Sequence, residues 1–145
     1  MKIFNNTKIN SYYKNSAIAI GNFDGVHSGH KKVFIKTKKI AKKNRIKFGI
    51  LTFKPLPVMF FNKKIKNFRL SSEDQKLRFL KKCEVDFIKN INFNKKFSKT
   101  SAQNFIKKII CKKIKPKFIA VSNNFKFGKN RKGDINLLKK FSNQY

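Results

Sequence analysis

Hydrophobic and polar positions follow two different periods along this chain, one typical of buried strands and the other of amphipathic helices. Residues 17–20 form an apolar run bounded by turn residues, which is typical of a central parallel strand. From Lys31 onward, apolar residues recur at helical spacing while lysines fill the opposite face, which predicts a helix over 29–43. Further apolar runs predict strands over residues 47–53, 85–90 and 118–122.

Polar residues that commonly cap helices mark where the intervening helices begin. Ser72, which precedes two acidic residues, predicts one helix start, and Ser101 and Asp134 predict two more. Residues 53–69 read as a long, proline-punctuated loop, and loops of that length within compact domains are usually functional or mobile. Because strands alternate with helices, we expect an α/β fold with right-handed crossovers and a doubly wound parallel sheet between two helix layers.

Composition is typical of one globular domain. The chain has 145 residues, of which 40% are hydrophobic and 17 are Phe. No apolar run approaches the roughly 20 residues of a membrane span, and the N-terminus lacks a signal-peptide core. We therefore expect no membrane association and a cytoplasmic location. Cys83 and Cys111 have neither disulfide-framework nor metal-ligand spacing and are expected to be buried thiols.

The formal charge of +31 would ordinarily suggest a nucleic-acid partner. Here the lysines are spread along every segment, and Lys, Asn, Ile and Phe are abundant together, as an AT-biased genome would produce. We therefore expect no specific nucleic-acid partner, with a functional nucleic-acid surface as the alternative. A positive field would in either case attract small anionic ligands.

The segment 21–30 is the most specific candidate for a functional site in this sequence. It runs from the carboxyl end of the first predicted strand, through a glycine-rich turn, into a helix start that holds His27 and His30. Ligands bind at such edges of open α/β sheets, and backbone N–H groups at a helix start suit phosphate. Gly25 and Gly29 would let the backbone approach closely. The alternatives are histidines that only cap a turn, or a zinc site with Asp24, for which the chain offers no matching further ligand.

Segment 21–30 resembles the HxGH signature of the nucleotidylyltransferase superfamily. More narrowly, it is similar to the FMN adenylyltransferase (FAD synthetase) module of bacterial bifunctional riboflavin kinase/FAD synthetases. The narrower resemblance depends on further blocks that occur in the order of that family, at residues 52–57, 69–72, 97–106, 121–128 and 131–134. It covers nearly the whole chain.

The resemblance implies a Rossmann-like fold and the transfer of AMP from ATP to FMN, giving FAD and pyrophosphate, with Mg²⁺ bridging phosphates. It implies that His27 and His30 are the catalytic residues. It implies ATP or phosphate contacts from Gly21, Asn22, Phe23, Asp24, Gly25, Asn124 and Arg131. It implies an isoalloxazine pocket formed by Phe53, Pro55, Pro57, Phe61 and Phe127. For each Phe, the alternative is a plain core position.

Two departures from the family pattern affect the expected activity. The family usually has Gly where this chain has Ser122. The chain also ends at Tyr145, before a Ser-Ser-Thr-x-x-Arg type phosphate-binding block and before the riboflavin kinase module. We therefore expect residues 1–145 to be an FMN adenylyltransferase domain that is incomplete at its C-terminus. The alternatives are a catalytically decayed basic nucleotide- or nucleic-acid-binding module, and a sister HxGH nucleotidylyltransferase with another acceptor.

Overall fold

A computed structural model of the chain describes residues 1–6, 8–25, 28–64 and 72–143. Its strands are β1 (Lys2–Phe4), β2 (Ala17–Ile20), β3 (Phe48–Lys54), β4 (Phe87–Asn92) and β5 (Phe118–Ala120). Every strand pairing is parallel, and the sheet order is β1-β4-β3-β2-β5. The strand order therefore reverses at β2, which has β3 on one side and β5 on the other. Such a reversal is the topological switch point at which α/β sheets bind ligands.

The helices of the described residues cover both faces of this sheet. They are α1 (Ser28–Asn44), α2 (Pro57–Phe61), α3 (Glu73–Lys82), α4 (Lys95–Ser98), α5 (Ala102–Asn104) and α6 (Ile135–Ser142). Helix α5 continues directly into π-helical turns over Phe105–Ile114. Short 3₁₀ turns occur at Ser11–Tyr13 and Lys129–Arg131.

Alternate residues of β2 enter two separate hydrophobic clusters. Ala17 and Ala19 join the cluster that contains Phe34 of α1 and Leu80 of α3. Ile18 and Ile20 join the cluster formed with the π-helical turns and α6. All four β2 residues are buried, as a strand covered on both faces requires. The α/β/α sandwich and the doubly wound parallel sheet predicted from the sequence are thus confirmed.

The predicted helix starts are also confirmed, because each cap residue accepts a hydrogen bond from the backbone N–H three residues later. The distances are 3.1 Å for Ser72, 3.1 Å for Ser101 and 3.0 Å for Asp134. At Ser72 the Gln75 side chain returns a bond to the Ser72 N–H at 2.9 Å, which completes a capping box.

Other predictions need correction. The last predicted strand, over 118–122, ends at Ala120, and the segment predicted as a loop over 53–69 contains α2. Residues 65–69 of that segment lie outside the described residues. Cys83 and Cys111 are partly exposed free thiols, and burial raises the pKa of both above the usual value.

Within the described ranges, none of the helices has the length and apolar character needed to cross a bilayer.

Candidate functional site

The turn that follows β2 is fixed to the neighbouring elements by hydrogen bonds. The Gly21 N–H donates to the carbonyl of Leu51 in β3 at 3.1 Å. The carbonyl of Asn22 accepts two bonds, one from the Thr52 hydroxyl and one from the Lys76 ammonium group of α3, each at 3.1 Å. Contacts from β3 and α3 therefore hold the start of the turn in place beside the sheet.

Phe23 forms the buried side of the same turn. Its backbone is left-handed, with a φ of 49°, and its side chain is only 5% exposed. The ring centroid lies 4.8 Å from that of Phe34 and 5.3 Å from that of His30. Asp24 and Gly25 are partly exposed, and Gly25 has a φ of 65°, a conformation that glycine adopts at little cost.

His30 lies in the first turn of α1 and is held by the turn that precedes it. Its Nδ1 atom is 2.8 Å from the carbonyl oxygen of Gly25. Because a carbonyl can only accept, Nδ1 carries the proton of this bond, and Nε2 is the nitrogen with which His30 would meet a phosphate. His27 lies outside the described residues, so its predicted role stays a prediction.

The loop after β5 starts at the same edge of the sheet. Since β2 pairs in parallel with β5, Gly21 and the residues after Ala120 leave the sheet side by side. In this loop the Ser122 hydroxyl donates to the Asn124 side-chain carbonyl at 3.0 Å, and Asn124 is exposed. The two predicted nucleotide-contact loops therefore flank the switch point, as parallel pairing predicts.

The residues predicted to bind FMN fall into two environments. Phe61 is 68% exposed, and its ring lies 5.8 Å from that of Phe93, against which Phe53 also packs at 6.1 Å. Pro55 and Pro57 are partly exposed on the segment that joins Phe53 to Phe61. The sequence analysis did not predict Phe93 as a site residue. It directly follows β4, the strand that pairs with β3.

Phe127 has a different position. It is 5% exposed and packs against Phe105 at 5.3 Å and Phe125 at 5.5 Å. Gly133 gives its ring room, because a Cβ there would lie 2.5 Å from a Phe127 ring carbon. Arg131, close by in the chain, is exposed, with a φ of 55°. The FMN contact of Phe127 and the phosphate contact of Arg131 stay predictions.

A groove of about 1070 Å³ is lined by β5, α1 and α6. At one end it includes Ser122 and Asn123, so it is continuous with the loop after β5. The cationic residues that line it are Lys32, Lys36, Lys115, Lys117 and Lys139. Most of the remaining lining is apolar and includes Val33, Ile110 and Leu138, so the groove combines cationic groups with an apolar surface.

Residues 9–145 match the FAD synthetase family. The chain belongs to this family. One relative, the bifunctional riboflavin kinase/FMN adenylyltransferase of Buchnera aphidicola subsp. Schizaphis graminum, is 44% identical over 143 residues, which are 99% of this chain and 45% of the relative. The protein of the same name from Escherichia coli K12 is 36% identical over 128 residues, 88% of this chain and 41% of the relative.

This member of the FAD synthetase family thus spans less than half the length of these curated relatives. A solved structure described as a macrolide-efflux protein from Streptococcus pneumoniae superimposes with a TM-score of 0.82 at 22% identity. The superposition covers 97% of this chain and 47% of the chain in that structure. At this identity the likeness supports the fold alone.

Proposed function

We propose that this chain transfers AMP from ATP to FMN, forming FAD and pyrophosphate. The observation that carries the proposal is the glycine turn at the switch point of the sheet, which holds the His30 imidazole at the start of α1. Membership of the FAD synthetase family and relatives named riboflavin kinase/FMN adenylyltransferase support it.

In the proposed reaction, an FMN phosphate oxygen attacks the α-phosphorus of ATP, and the bond to the pyrophosphate oxygen breaks. Charge increases on the α-phosphoryl oxygens and on the leaving group, so catalysis depends on positioned donors and low reorganisation. The backbone N–H groups at the start of α1 would supply these donors, together with His27 and His30. Because the His30 Nδ1 donates to Gly25, its Nε2 can donate to phosphate only when both ring nitrogens carry a proton. The bond that Asn22 accepts from Thr52 and the bond that Gly21 donates to Leu51 would keep the turn fixed while charge develops.

FMN would bind on the apolar side of the same edge. The exposed ring of Phe61, supported by Phe93, offers a flat surface for an isoalloxazine ring, with Pro55 and Pro57 beside it. The buried ring of Phe53, which packs against Phe93, would support this surface from the core. Phe127 packs further inside, against Phe105.

Mg²⁺ would enter with ATP. Within the described ranges, no three His, Cys, Asp or Glu side chains gather closely enough to hold a metal ion. Mg²⁺ does not require such a set, because phosphate oxygens, waters and one or two carboxylates usually complete its shell. The protein's part would then be to position the phosphates. The cytoplasmic location stays a prediction.

An NMR titration tests the proposed site. Addition of Mg·ATP to the ¹⁵N-labelled chain should shift the amide signals of residues 21–25 and 28–30 saturably. Addition of FMN should shift those around Phe61 and Phe93. Sodium tripolyphosphate is the matched control for charge, and it should not shift the Phe61 and Phe93 signals. The proposal would be contradicted if ATP, FMN and tripolyphosphate all caused the same shifts, spread over the surface lysines and without saturation.

A further inference from the structure

Phe23 has a backbone conformation that bulky residues rarely adopt. Its φ of 49° lies in the left-handed region, where aromatic side chains are uncommon outside turns that hold them in place. The side chain is 5% exposed, so its burial compensates for the backbone cost. Phe23 thus keeps an unfavourable backbone conformation, and its ring is buried beneath the turn.

The space for the ring comes from the end of β2 and from α1. A Cβ at Gly21 would lie 3.0 Å from the Phe23 Cζ atom, closer than real contacts normally allow. On the opposite side the ring packs against Phe34 of α1, with centroids 4.8 Å apart. Phe23 therefore fills the space between the strand and the helix that the turn connects.

The same ring contacts His30 edge-to-face, with centroids 5.3 Å apart and an interplanar angle of 79°. Gly25, two residues after Phe23, accepts the bond from His30 Nδ1 at 2.8 Å. One short turn thus fixes the imidazole in two ways, through an aromatic contact on the ring and a hydrogen bond on one nitrogen. A rotation of the imidazole about its side-chain bonds would disrupt both contacts.

We propose that Phe23 is a positioning residue, which acts on the reaction through His30 and not through contact with ATP. Its ring keeps the imidazole in the orientation in which Nδ1 donates to Gly25, so that Nε2 is the nitrogen presented to phosphate. The catalytic consequence rests on the proposed function, whereas the orientation of the imidazole is a property of the protein without ligand.

The first measurement uses the unmodified chain without ligand. Because the sequence contains two histidines, a His30→Gln sample assigns the imidazole signals. At a pH high enough for the ring to be neutral, we expect ¹⁵N shifts of a His30 ring protonated at Nδ1, and a nuclear Overhauser contact between the His30 and Phe23 rings. A neutral ring protonated at Nε2, or no contact between the rings, would overturn the proposal whatever the activity of the chain.

The second measurement compares Phe23→Leu with Phe34→Leu. Phe34 is an equally buried ring that contacts Phe23, Phe48 and Phe79, so it serves as the matched control for loss of core packing. In Phe23→Leu we expect mixed His30 tautomers and a kcat for FAD formation lowered by about 10- to 100-fold, with a smaller change in the KM for ATP. In Phe34→Leu we expect a similar loss of Tm, one His30 tautomer and a kcat within about threefold of the unmodified chain.

Equal kcat losses in the two variants at equal Tm would overturn the proposal, since Phe23 would then act only through stability. An unmodified chain that makes no FAD, yet shows the Nδ1-protonated His30 in contact with Phe23, would contradict the proposed function and leave the positioning of His30 supported. If Phe23→Leu does not fold, the ligand-free measurement on the unmodified chain decides.

Discussion

The hydroxyl of Thr52 in β3 donates to the carbonyl of Asn22, 30 residues earlier in the chain, at 3.1 Å. Thr52 is 1% exposed and Asn22 is exposed, so this bond links the core to the surface turn. It joins the strand next to β2 to the turn on which the proposed nucleotide site depends. Lys76 of α3 donates to the same carbonyl, and the turn is therefore attached to two elements that the sequence places far from it.

Thr52→Val should loosen this turn. Valine keeps the shape of threonine and cannot donate, so we expect a loss of about 1 kcal/mol in the free energy of unfolding, together with a raised KM for ATP. Thr37→Val is the matched control, because Thr37 is equally buried and bonds within α1, to Val33. Denaturant unfolding and ATP titration measure both effects. An unchanged KM for ATP in Thr52→Val would contradict a role for the bond in the site.

The exposed Phe61 ring should affect flavin binding more than stability. We expect Phe61→Ala to weaken FMN binding, measured by flavin fluorescence, while ATP binding and Tm stay nearly constant, because the ring is 68% exposed. Phe127→Ala removes a buried ring and should lower the free energy of unfolding by about 3 kcal/mol or more. If Phe61→Ala weakens FMN and ATP binding equally and lowers Tm, the ring belongs to the core and not to a flavin surface.

The two cysteine thiols should react slowly near neutral pH. Burial is the main cause of the raised pKa of Cys83 and Cys111, and at Cys83 the charges of Lys38 and Lys31 act in the opposite direction. A raised pKa leaves less thiolate at neutral pH, and thiolate is the reactive form. We therefore expect alkylation slower than that of free cysteine, accelerating as pH rises and on unfolding in urea. A native rate equal to that of free cysteine would contradict this.

The high positive charge gives a test between the proposed enzyme and a nucleic-acid-binding module. Any protein at +31 will bind RNA at low salt, since phosphate neutralisation releases counterions. We expect this binding to be independent of sequence and largely lost near a physiological ionic strength of about 0.15 M. ATP and FMN binding should be saturable and depend less on salt. Submicromolar RNA affinity at physiological salt, without binding of ATP or FMN, would favour the binding module.

The local parts of the fold could be predicted from the sequence. Caps such as Ser72 and Asp134 act on N–H groups three residues away, and the apolar run of β2 is visible because the strand is buried on both faces. Strand β1 was missed because a three-residue edge strand with only Phe4 buried shows no period. Its partner β4 lies more than 80 residues further along the chain.

The site could be predicted only in part, for a related reason. The position of His30 at the start of a helix after a strand follows from local pattern. The bonds from Thr52 and Lys76 to Asn22 connect residues 30 and 54 positions apart, so they depend on the folded sheet. Likewise, the sequence left Phe127 open between a pocket position, which the resemblance implies, and a core position. The long-range packing on Phe105 that buries its ring depends on the folded sheet.

The most direct test of the account is the formation of FAD by the unmodified chain and by His30→Ala. With ATP, FMN and Mg²⁺ present, chromatography should show FAD and an equal amount of pyrophosphate from the unmodified chain. His30→Ala should lower the rate by about 10²-fold or more, as the loss of one oxyanion donor does, with Tm nearly unchanged. His27→Ala should have an effect of the same order. Near-normal FAD formation by folded His30→Ala would show that this imidazole does not stabilise the transferred adenylyl group.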